Sequence, residues 1–96
     1  MSEMIKVILF STNKSRIPVE DWIRIPDGAL TVAGLIHIMD KIVEILLDFA
    51  PRRSSYGEEL TLRISKEGKT VDTILCEGCY EKEILSALVK SLFEQQ

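Results

Sequence analysis

Ninety-six residues, 46% of them apolar and 28% charged, describe one folded domain with a single modest core and exclude a disordered chain. A net charge of −3 gives no electrostatic basis for binding nucleic acid or an anionic membrane. Two cysteines are too few for a disulfide scaffold.

The chain opens on MSEMIKVILF, an apolar run from Met4 to Phe10 interrupted only by Lys6. Its β-formers predict a strand covered on both faces. Without a basic n-region or a cleavage site it does not read as a signal peptide, so a cytoplasmic protein with reduced thiols is expected. Ser11 to Arg16 is a polar loop. Ile17 to Ile25 supports two readings, a short helix opened by Pro18 or an extended segment. Pro26-Asp27-Gly28 forms a turn in which Asp27 serves as N-cap for a long helix.

From Ala29 to Phe49 the sequence ALTVAGLIHIMDKIVEILLDF predicts that helix. At 3.6 residues per turn His37, Asp40, Lys41, Glu44 and Asp48 fall within an arc of roughly 100°, and nearly all the rest is apolar. A helix on a small domain needs an apolar stripe only somewhat wider than 100°, so a second surface must cover the excess. No stretch reaches the ~18–20 uncharged residues of a membrane span.

Pro51 ends this helix. Leu60, Leu62 and Ile64 then alternate with Thr61, Arg63 and Ser65, Glu67-Gly68 supplies a turn, and a second strand runs to Cys76. The favoured register pairs Ile64 with Val71, Leu62 with Thr73 and Leu60 with Leu75, and sets Arg63 opposite Asp72. Tyr80 to Glu94 is an amphipathic helix with Glu81 and Glu83 in its first turn. The expected fold is a single α+β domain over residues 1–96 in the order β-α-β-β-α. A three-stranded mixed sheet is packed by the long helix and the C-terminal helix. A right-handed crossover makes the first two strands parallel, with the last between them and Met4–Phe10 at an edge.

No Walker loop, nucleophile elbow or dinucleotide fingerprint occurs, so neither catalysis nor a cofactor is expected. His37, Asp40 and Glu44 share a helix face suited to a metal, but Lys41 lies among them and a solvated face explains the group. Cys76-Glu77-Gly78-Cys79 supports three readings: structural thiols, half of a zinc site completed by a second copy or by His37, or a redox pair at a helix N-terminus. Cys76 and Cys79 are therefore the candidate metal-binding residues.

The apolar helix, the basic linker Pro51-Arg52-Arg53, the hairpin LTLRISKEGKTVDTIL with Gly68 at its turn, and the terminal amphipathic helix cover two thirds of the chain. Their layout resembles the small effector-associated constant-component domains of bacterial conflict systems. The resemblance implies a non-enzymatic adaptor coupling a sensor to an effector, and supplies no functional residues. The expected function is thus a protein–protein interaction or self-assembly module, with a protein partner or a homo-oligomer, whose interface uses Phe10, Trp22, Ile36, Val43 and Leu47. The alternative is a thiol- or zinc-dependent protein acting through Cys76 and Cys79.

Overall fold

Strand side chains alternate between two faces, so the positions of the apolar residues decide which face meets the helices. The computed structural model describes residues 3–25, 31–50, 58–76 and 78–93. Within them the order is β1 (Glu3–Ser11), β2 (Val19–Ile25), α1 (Val32–Phe49), β3 (Leu60–Lys66), β4 (Lys69–Leu75) and α2 (Tyr80–Leu92). The strands form one antiparallel sheet in the order β2-β1-β3-β4.

The expected three-stranded mixed sheet and β-α-β-β-α order are corrected by this arrangement. The ambiguous segment after Pro18 is a strand, β2, which folds back on β1 with Ile23 opposite Ile5 and Trp22 opposite Lys6. Its sequence VEDWIRI carries one buried residue, Ile23, with Glu20, Asp21, Trp22 and Arg24 all exposed, so it lacks the clean alternation that marks a strand. The crossover through α1 therefore joins β2 to β3. Those two strands run parallel with β1 between them, which makes β1 antiparallel to β3 and interior, where an edge position was expected. β4 is an edge strand.

The β3–β4 register is the expected one, with Leu60 opposite Leu75, Leu62 opposite Thr73, Arg63 opposite Asp72 and Ile64 opposite Val71. Glu67 (φ 50°) and Gly68 (φ 83°) form the two-residue connection, both left-handed as a type I′ turn requires. A Cβ at position 68 would meet nothing within 4 Å, so only the backbone resists substitution. Gly68→Ala should accordingly cost about 1–2 kcal/mol, and Glu67→Asn should gain stability, both read from urea midpoints.

One core joins all six elements. Ile5, Val7 and Leu9 of β1 and Leu60, Leu62 and Ile64 of β3 point to one side of the sheet, where Ile38, Ile42 and Leu46 of α1 and Ile84 and Leu88 of α2 cover them. Thr31 caps α1, its Oγ1 accepting from the Gly34 N–H at 3.1 Å. The expected cap, Asp27, lies outside the described residues, as do Ala29 and Leu30.

A buried polar cluster ties the β1–β2 loop to the residues before β3. Glu58, with its side chain 1% exposed, accepts hydrogen bonds from Arg16 Nε and from Ser11 Oγ. Arg16 Nη1 donates to the Phe49 carbonyl at 3.2 Å, holding the end of α1. Ser11 Oγ also accepts from the Asn13 N–H at 2.8 Å, and Thr12 Oγ1 from the Glu59 N–H at 2.9 Å. This loop is a structural clamp made of residues that read in sequence only as polar.

Candidate functional site

The helices cover one face of the sheet, and alternation places Met4, Ile8, Phe10, Trp22 and Ile74 on the other. Met4 is 44% exposed, Trp22 55% and Ile74 53%, so an apolar component of this face stays in water. The expectation that β1 is covered on both sides is corrected here, because both helices pack on the side of Ile5, Val7 and Leu9.

Charged groups fill the space between these apolar residues. Lys6 Nζ lies 5.7 Å from the centre of the Trp22 ring and 3.4 Å from a Glu20 carboxylate oxygen. Arg63 lies 5.1 Å over Phe10 and grips Asp72 with two hydrogen bonds, Nε to Oδ1 at 2.8 Å and Nη2 to Oδ2 at 3.0 Å. The hydrogen bond from Arg63 holds the Asp72 carboxyl below the usual carboxylate range, against a smaller opposing effect of burial. A depressed carboxylate stabilises the fold above its unfolded pKa, and that contribution is lost as pH falls through the folded value. The pair is largely exposed, so the effect on stability is small. A carboxyl NMR titration should place Asp72 below ordinary aspartate, and Arg63→Gln should return it to the ordinary range.

The second apolar surface is on α1. Leu35, Ile38, Met39, Ile42, Leu46 and Phe49 are buried. Val32 (74% exposed), Ile36 (43%) and Leu47 (53%) form an adjoining strip about 60° wide with half-buried Val43. The structure thus separates the five expected interface residues. Phe10 and Trp22 lie on the open sheet face, Phe10 half-buried beneath Arg63, while Ile36, Val43 and Leu47 lie on α1 beyond the opposite face.

The polar stripe of α1 has a neighbour that the sequence did not reveal. His37, Lys41, Glu44 and Asp48, with Ile45, face Asp21, Trp22, Ile23 and Arg24 of β2 across an open groove of about 600 Å³. The signal for this groove was the stripe itself, but its partner strand was ambiguous in sequence.

Cys76 and Cys79 are free and exposed, at the end of β4 and the start of α2. The Cys79 N–H donates to the Cys76 carbonyl at 2.9 Å, and Gly78 (φ 87°) completes the turn. Glu77 lies outside the described residues. Among the described residues no group of three or more His, Cys, Asp or Glu side chains is placed to hold a metal ion, and no helix is long and apolar enough to cross a membrane. Comparison of the chain with protein-family models, with curated proteins and with solved structures finds no match.

Proposed function

We propose that the chain is a non-enzymatic protein-interaction module that self-associates. The observation that carries this reading is Trp22, the chain's one tryptophan, 55% exposed on a sheet face that neither α1 nor α2 covers. Tryptophan combines a large apolar area with an N–H donor and is enriched among residues that dominate binding energy. The Val32–Ile36–Leu47 strip adds a second uncovered apolar surface. An adaptor that couples a sensor to an effector, the role implied by the resemblance to effector-associated domains, requires such surfaces and no chemistry of its own.

Because Trp22 is the sole tryptophan, its fluorescence tests the reading directly. Raising the protein from about 1 to about 200 µM should shift the emission to shorter wavelength as the indole leaves water. Red emission unchanged across that range contradicts the proposal.

A second reading, thiol or zinc chemistry at Cys76 and Cys79, is favoured by the exposure of both residues within one turn. Two thiols per chain should react with Ellman's reagent without denaturant. Zinc retained through purification and lost in Cys79→Ser would place this reading above the first. Metal-free protein whose thiols react no faster than free cysteine would remove it.

A further inference from the structure

We infer that the partner is a second copy of this chain, joined antiparallel along β2 about a twofold axis normal to the sheet and passing beside Trp22. This rests on the reading above and specifies its geometry. β2 pairs with β1 on one side only, and its outer side is a sheet edge. A free edge offers its unpaired backbone N–H and C=O groups to a further strand, a pairing that proline, bulges and charged side chains oppose. The strand VEDWIRI contains no proline, and its charges of both signs allow one copy to complement another.

Their placement selects the register. Antiparallel pairing about a normal twofold keeps the open faces of both sheets on the same side. Full overlap of the seven residues Val19–Ile25 sets Trp22 against the partner's Trp22. Glu20 then lies opposite the partner's Arg24, and Arg24 opposite the partner's Glu20, all four on the open face. The neighbouring registers place Asp21 against the partner's Asp21, or leave Glu20 beyond the end of the partner's strand. The opposite edge, β4, is a poorer choice, because full overlap of Lys69–Leu75 sets Asp72 against the partner's Asp72.

The groove beside β2 leaves open space along this edge. The product is a continuous eight-stranded sheet with two tryptophans side by side at its centre.

The test is a charge swap read by light scattering after gel filtration. Glu20→Arg alone sets arginine against the partner's Arg24 at both ends of the seam, and Arg24→Glu alone sets glutamate against the partner's Glu20. Each single variant should raise the dissociation constant at least about tenfold while keeping a wild-type circular dichroism spectrum. An equimolar mixture of the two should restore dimers at wild-type concentrations, since every seam pair is then attractive. Lys6, which contacts Glu20 within its own chain, cannot produce this rescue. If either reversal fails to fold, Glu20→Gln and Arg24→Gln should each weaken association several-fold. A wild-type dimer that every variant leaves intact, or a mixture that stays monomeric, overturns the β2 seam while self-association stands. Wild-type protein that is monomeric at every concentration overturns both.

Discussion

Ile42→Ala should lower stability by about 3–4 kcal/mol, whereas Leu47→Ala on the same helix should cost less than about 1 kcal/mol. Ile42 is fully buried between the sheet and the helices, so truncation removes its transfer energy and leaves a cavity. Leu47 is 53% exposed and leaves none. Alanine is a better helix former than either residue, so propensity does not explain the contrast. In a domain of this size such a loss lowers the melting temperature by roughly 15–25 °C, which differential scanning calorimetry resolves easily. Equal losses at both positions would mean that the apolar strip of α1 is covered within the chain.

Arg16→Met should cost about 3 kcal/mol, a large effect for a loop residue. The substitution keeps much of the aliphatic stem but strips the buried Glu58 carboxylate of the guanidinium that holds it, and takes a donor from the Phe49 carbonyl. The Arg16 side chain is 21% exposed, which places the cost at the low end for a broken buried pair. Glu58→Gln in the same chain should recover part of the loss, because a neutral amide is cheaper to bury than an uncompensated charge. Urea denaturation of the two variants measures both quantities. A loss below about 1 kcal/mol in Arg16→Met would reduce the clamp to an ordinary surface pair.

The local parts of this fold were legible in sequence. The β3–β4 hairpin announces itself because its register depends on alternation across one short turn, with Arg63 and Asp72 as a check. Both helices follow from apolar periodicity. β2 escaped because an edge strand buries little, and Ile23 alone does not declare a face. That one omission changed the sheet from four strands to three and moved β1 from the interior to an edge. The Arg16–Glu58 clamp joins residues 42 positions apart, a separation at which sequence pattern carries no information about pairing. Of the candidate site, the uncovered strip of α1 was visible as excess apolar surface, whereas the exposure of Trp22 depends on the strand that carries it. The groove was hidden, because recognising it required the strand that faces the polar stripe.

Sedimentation equilibrium tests most directly whether the chain pairs with another copy of itself. The weight-average mass should climb from one chain toward two as the concentration rises through the micromolar range, and should fall back when salt screens the Glu20–Arg24 seam. A mass of one chain at every concentration, with the tryptophan emission unchanged, would rule out a second copy joined along β2.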